Sequence, residues 1–343
     1  MKRITQLDGL RALAVSAVVI CHRGWFEFGG YGVDVFFVLS GYLITGILLN
    51  GKGEPGLFAH FYRRRIQRIF PSYFLCLFWV ALFAWSHWGH VIAWYVLFAG
   101  NVEVALHTAS RHGPWGVYWS LAVEEHFYFL WPFLVLRLSR RALARCLVLI
   151  VVLSPLARAL GQHFVSDPWI IYYLTPFRLD GLALGSLLAV LCSSPVWVAR
   201  MRRWSIPVAF GAFGLLLSSQ YLFPSVAALS SMTISGVVAG SAALIYILIY
   251  NQLPWLTALL QTRVLRGLGT ISFTLYLIQE PMSHAVQYLA ARWHYTHGLR
   301  AAVASIVLAV AYATASWLWM EKPILRRKWG GPPERAIVST PAA

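Results

Sequence analysis

Apolar residues in this chain come in long unbroken runs, not in strand-like alternation. Runs near 20 residues, the length a helix needs to cross a hydrocarbon core, fall at 7–24, 32–50, 69–86, 117–136, 143–163, 169–192, 204–222, 226–250, 269–290 and 301–320. The pattern predicts an all-α polytopic integral membrane protein of about ten transmembrane helices. The stretch "HVIAWYVLFAGN" at 90–101 is too short to span easily and reads as interfacial or re-entrant.

Composition agrees with the pattern. Of 343 residues, 59% are hydrophobic and only 12% are charged; soluble domains carry about twice that charge. The N-terminus "MKRITQLDGLRALAV" has the charged start and apolar stretch of a signal peptide. It runs into Arg11 and His22 without a small-residue cleavage site, so it reads as retained. Residues 1–328 then form one membrane domain, and the Pro/Gly-containing stretch 329–343 a short disordered cytoplasmic tail.

A net charge of +16 first suggests nucleic acid. Placement favours membrane topology instead. With the N-terminus in the cytoplasm and alternating spans, only Arg23, Arg111, Arg292 and Arg300 of the 28 Lys and Arg fall outside, and Arg11, Arg158 and Arg178 fall within spans. All others lie on the cytoplasmic side, which puts both termini there. No nucleic-acid partner is needed. The four cysteines, Cys21, Cys76, Cys146 and Cys192, lie in or beside apolar runs and read as packing residues. His87 and His90 share a short spacing but no further ligand motif, so no metal site is expected.

Ionisable groups inside spans need a reason, because lipid disfavours them. The first run carries Asp8, Arg11 and His22. Arg11 and His22 are eleven positions apart, which places them on nearly one helix face about 16 Å apart along the axis. Asp8 is within pairing reach of Arg11. Arg11 snorkelling to one interface and His22 resting among headgroups at the other would equally account for this helix alone. "GYGVDVFFVLSGYLIT" adds Asp34 and Ser40, with Asp34 at the outer level of His22. "VYWSLAVEEHFYFLWP" adds Ser120, Glu124 and Tyr128 at i, i+4, i+8 on one face. Convergence of such groups at one membrane level is a candidate site, where a neutral His22 suits a general base. Arg178 and Asp180, two residues apart, point about 200° apart on a helix and serve one stripe only if Pro176 or Gly181 breaks it. "FYRRRIQRIFP" is the densest basic cluster. Arg65 and Arg68 there suit phosphate, or simply anchor the chain on the cytoplasmic side.

In order along the chain, "LDGLRALAV" with the Arg11–His22 spacing, "GVDVFFVLSGYLIT", the Arg65/Arg68 pair, "WSLAVEEHFYFLWP", "SFTLYLIQEP" and the final "EKP" resemble acyltransferase family 3. The resemblance covers nearly the whole chain. It implies a multi-pass enzyme of a bacterial-type cytoplasmic membrane that moves an acyl group, usually acetyl, from acyl-CoA to a hydroxyl of a carbohydrate or other acceptor. No cofactor would be bound; acyl-CoA would be a co-substrate. Partners would be acyl-CoA, the glycan or other hydroxyl acceptor, and membrane lipid. Arg65 and Arg68, with Arg11 deeper, would hold CoA phosphates. His22 would be catalytic, oriented by Asp34 or Glu124, and Ser40, Trp119, Ser120 and Arg178 would contact substrate. Two departures stand out. Gln279 occupies a position where the family often has histidine, and no SGNH-type domain follows the last run. A transporter or flippase for a lipid-linked sugar is the rival class; it too needs intramembrane charge, but no inverted repeat is visible.

Topology is directly testable. Reporter fusions should give a cytoplasmic signal after Lys328 and an external signal within 104–113. A cytoplasmic signal from 104–113 would make 90–101 a true span and invert everything after it.

Overall fold

The computed structural model describes residues 4–83, 91–111, 113–222, 231–292 and 298–326. His87, His90, the 329–343 tail, and the basic residues Lys2, Arg3, Arg327, Lys328 and Arg335 lie outside the described residues. Among those described, every regular element is helical. In chain order they are α1 (Thr5–Cys21), α2 (Gly32–Asn50), α3 (Leu57–Phe83), α4 (Ile92–Val96), α5 (Gly100–Leu106), α6 (Thr108–Arg111), α7 (Trp119–Arg137) and α8 (Arg140–Gly161). There follow α9 (Pro168–Tyr173), α10 (Leu179–Leu191), α11 (Pro195–Leu222), α12 (Ser231–Ile249), α13 (Pro254–Leu260), α14 (Arg263–Arg292), α15 (Leu299–Ser316) and α16 (Lys322–Arg326).

The protein is an all-α membrane protein. Among the described residues, Glu27–Asn50, Arg140–Gly161, Met232–Ile249 and Leu299–Arg326 are helical stretches long and apolar enough to cross a bilayer by length and composition. Helix α8 shows the lipid logic. It exposes Val148, Leu149, Val152, Leu153, Leu156 and Leu160 and buries Ser154 and Arg158. From Val148 onward, its polar groups face protein and most of its apolar side chains face outward, the reverse of a soluble helix.

Three parts of the chain depart from simple spans. The apolar run 169–192 is not one helix. Asp167 caps α9, its side chain accepting from the Trp169 amide at 3.0 Å, with Pro168 in the first turn. Leu174 is extended, and a 3₁₀ turn at Thr175–Phe177 carries Pro176 before α10 starts. Pro176 offers no N–H to an α-helical ladder, and with Leu174 extended just before the turn the run breaks there. The basic cluster belongs to α3, which runs on through Pro71, so it continues directly into an apolar helix. Of the 90–101 stretch, the described residues 91–101 fold as short α4 and the start of α5. Phe98 between them has φ 54°, a left-handed conformation that stops the helix.

Helix pairs approach closely at glycines. A Cβ on Gly41 of α2 would lie 2.0 Å from the Leu182 carbonyl oxygen of α10, and one on Gly185 of α10 would lie 2.0 Å from that of Val38. The two helices therefore touch backbone to backbone, as small residues allow in membranes. Gly269 of α14 does the same against Asp8 of α1, where a Cβ would meet the Asp8 oxygen at 1.8 Å. Helices α1 and α14 run in the same direction, since Gly269 meets Asp8 and Gln279 meets His22.

Candidate functional site

A cavity of about 440 Å³ opens between α1, α2, α3, α7 and α14. Its α2 lining runs from Val33 to Ile47, fourteen residue steps, or about 21 Å along the helix. That is about two thirds of a hydrocarbon core. At one end stand Asp8, Arg11, Arg65 and Arg68; at the other stand Val33, Phe36, Ser120 and Tyr276; Ser40, Glu124, Tyr128 and Glu321 lie along its wall.

The basic end is only partly neutralised. Asp8 lies 3.5 Å from Arg11. Arg65 lies over the rings of Phe61 and Tyr128, at 5.6 and 5.2 Å, and Arg68 makes no hydrogen bond or ion pair with any described residue. The cavity's other carboxylates are engaged. Tyr128 donates to Glu124 from one turn along α7, and Thr274 donates to Glu321 at 2.7 Å. Glu321 sits in a π-helical turn, Trp317–Glu321, a distortion that aims side chains off the regular helical face. Two guanidiniums without carboxylate partners among the described residues, on the cavity wall, can bind a polyanion such as a phosphate ester.

The opposite end is closed by a hydrogen-bonded roof. Ser120 Oγ and Tyr276 OH lie 2.7 Å apart, and Tyr276 donates to the Val117 carbonyl at 2.8 Å. Gln279, one turn further along α14, meets His22. The imidazole caps the C-terminal end of α1, with Nδ1 2.8 Å from the Val18 carbonyl oxygen. Two lone pairs at that distance would repel, so Nδ1 carries the proton and Nε2 keeps its lone pair. His22 itself is exposed.

Of the residues expected from sequence, Arg11, Arg65, Arg68, Ser40, Ser120 and Glu124 line the cavity together. His22, Asp34, Trp119 and Arg178 do not. The expectation that Asp34 or Glu124 orients His22 is corrected: the Val18 carbonyl does so, because it is the acceptor within reach of Nδ1. Asp34 is turned away, its Oδ1 accepting from Arg178 at 2.8 Å. The Arg178 guanidinium lies among Phe37, Trp119 and Tyr172, closest to Tyr172 at 4.7 Å. Both partners are fully buried, and Asp34 Oδ2 and Arg178 Nε and Nη1 have no further hydrogen-bond partner among the described residues. Asp180 pairs separately with Arg158, at 3.0 and 2.7 Å, and Arg158 also donates to Ser235. The break at Pro176 lets Arg178 and Asp180 serve two different partners.

Sequence reasoning passed over Arg23 and Arg158. Arg23 donates to Ser283, and to both the carbonyl and the Oε1 of Gln279. Its signal was present: it is one of the few basic residues that the topology leaves on the outer side.

Comparison with known proteins gives one consistent result. A family model described as an acyltransferase domain, of the acyltransferase 3 type, matches residues 4–320. The chain is 32% identical, over 94% of its length, to a Bacillus subtilis protein named "Putative peptidoglycan O-acetyltransferase YrhL", of which the match covers 55%. It is 31% identical, over 82% of its length, to peptidoglycan O-acetyltransferase OatA of Listeria monocytogenes, of which 49% is covered. Against O-acetyltransferase OatA of Staphylococcus aureus it is 33% identical over 54% of the chain, covering 34% of that protein. The chain thus spans about half or less of the length of these relatives. No solved structure matches.

The buried pair makes a stability prediction. Arg178→Met leaves the Asp34 carboxylate buried without its cation and should destabilise the protein by about 3–5 kcal/mol. Asp34→Leu combined with Arg178→Met removes both charges and should recover most of that loss. Thermal unfolding in detergent checks it. A double variant as unstable as the single one would show that unpaired charge is not the cause.

Proposed function

Because the chain belongs to the acyltransferase 3 family, we propose that it is a membrane O-acyltransferase that moves an acetyl group from cytoplasmic acetyl-CoA to a hydroxyl of a peptidoglycan-type glycan outside. The arrangement that carries this reading is the cavity itself. It has unpaired guanidiniums at one end, and a histidine with a free Nε2 stands just beyond the other. Acetyl-CoA enters from the cytoplasmic end, its phosphates on Arg65 and Arg68 with Arg11 deeper. The pantetheine arm lies along the apolar wall and carries the thioester towards Tyr276. His22 Nε2 takes the proton of the acceptor hydroxyl as it attacks. The Val18 carbonyl holds the ring in the required tautomer and stabilises the imidazolium that forms. The acceptor class follows the names of the relatives, and the setting is a bacterial cytoplasmic membrane.

Incubating the purified protein in vesicles with labelled acetyl-CoA and peptidoglycan fragments tests the function, and label should pass to the glycan. His22→Gln keeps hydrogen bonding but cannot accept the proton, and should lose transfer by at least about 10²-fold while inserting normally. Near-normal transfer by that variant would remove the general-base role; a transporter's gating group would tolerate glutamine.

The donor site has its own test. Lys at both Arg65 and Arg68 keeps the charge but loses the planar fork. Acetyl-CoA affinity should fall at least about tenfold, as a loss of about 1.4 kcal/mol implies, with insertion unchanged. Unaltered affinity would leave these residues as topological anchors.

A further inference from the structure

Gln279 is fully buried on α14, one turn beyond the cavity's Tyr276 roof and against the His22 ring. Its orientation is decided by Arg23. A guanidinium has only donors, and Arg23 Nη2 lies 3.1 Å from the outer amide atom, which must therefore be Oε1. Arg23 is itself fastened to the same helix. It donates to the Gln279 backbone carbonyl at 2.8 Å and to Ser283, and lies 3.6 Å from Glu280. The Gln279 NH2 group is thereby turned towards His22, its Nε2 3.4 Å from His22 Nδ1.

That contact is not a hydrogen bond. Nδ1 already carries a proton, donated to Val18 O at 2.8 Å. A buried NH2 group therefore faces another N–H, with no acceptor among the described residues. Buried donors are almost always satisfied, and an unsatisfied one calls for an explanation. Here the missing acceptor would sit beside His22 and one turn past Tyr276, at the end of the cavity towards which the proposed donor path points.

We propose that the Gln279 side-chain amide, aimed by Arg23, is the hydrogen-bond donor to the carbonyl oxygen of the acyl group during transfer. The inference rests on the acetyl-transfer reading above. The acceptor oxygen bonds to the thioester carbon as its proton passes to His22 Nε2. The carbonyl π pair moves onto oxygen, and the Gln279 N–H groups stabilise that oxyanion. When the carbonyl re-forms, the C–S bond breaks, and the sulfur leaves with its electron pair and takes the proton from His22. An ester and free CoA thiol result. Preorganised donors of this kind act on the transition state more than on the bound substrate. Arg23 is a positioning residue that acts through Gln279.

The test is steady-state transfer from acetyl-CoA to peptidoglycan fragments by Gln279 and Arg23 variants in vesicles. Gln279→Met should lower kcat by about 10²-fold, the usual worth of one oxyanion donor, with KM for acetyl-CoA unchanged. Gln279→Glu keeps the shape and the acceptor for Arg23, so it should fold as wild type, but it presents no N–H and should be equally slow. Gln279→His restores a donor and should lose less than Gln279→Met. Arg23→Met should also lower kcat, and the double Arg23→Met/Gln279→Met variant should be no slower than Gln279→Met alone. Near-wild-type kcat in a folded Gln279→Glu protein overturns the proposal. So does a loss that appears in KM alone, and fully additive Arg23 and Gln279 effects overturn the positioning role. A wild-type protein that transfers no label refutes the acetyltransferase function itself; active wild type with indifferent Gln279 variants refutes only this inference.

Discussion

Every charged group inside this bundle is governed by one constraint: hydrocarbon supplies no partner, so the protein must. The bundle meets it in two ways. Deep in the packing it pairs charges with one another. Asp34 accepts from Arg178 within an aromatic box, and Asp180 takes both guanidinium nitrogens of Arg158. Elsewhere it leaves a cavity in which Arg65 and Arg68 stand without a carboxylate of their own. The first arrangement joins helices. The second leaves binding capacity unspent.

Backbone contact makes the pairing possible. Asp34 and Arg178 come together because α2 and α10 touch at Gly41 and Gly185, and because the chain turns at Pro176 just before Arg178. A side chain at either glycine would separate the helices by more than a hydrogen bond can stretch. The same applies to α1 and α14 at Gly269. Their parallel approach lets His22 and Arg23, adjacent in sequence, reach Gln279 and Ser283 on the opposite helix.

Much of this was legible in the sequence, for physical reasons that differ by element. Long apolar runs marked α2 and α8 nearly to the residue, since twenty lipid-compatible residues have few alternatives. The stripe Ser120–Glu124–Tyr128 was readable because 3.6-residue periodicity alone puts it on one wall. The break in 169–192 was not, because apolarity looks the same in a helix and in a capped turn; only Pro168 and Pro176 hinted at it. Partner choice was least legible. Asp34 and His22 sit at one membrane level, and level was all that periodicity could supply. Whether they face each other depends on the rotation of α2 about its axis, which tertiary packing sets. The orienting group of His22 proved to be a backbone carbonyl four residues earlier, a partner that every helix carries and no side-chain pattern reveals.

The choice of partner therefore sorts the charged and polar residues better than sequence position does. Arg178 and Arg65 are both arginines inside the bundle, yet one is boxed with its carboxylate and the other lies over rings at the cavity wall. Glu124 and Glu321 are cavity residues whose carboxylates already accept from neighbouring hydroxyls, which fixes their side chains as wall. Gln279 is the opposite case. Its carbonyl is held by Arg23 while its NH2 is left facing a proton. A buried amide satisfied on one side only is stable enough to persist, because Arg23 compensates part of its desolvation. It is also incomplete until an acceptor enters. Beside the exposed His22 ring, an amide that meets an N–H instead of an acceptor is the feature on which the proposed role of Gln279 rests.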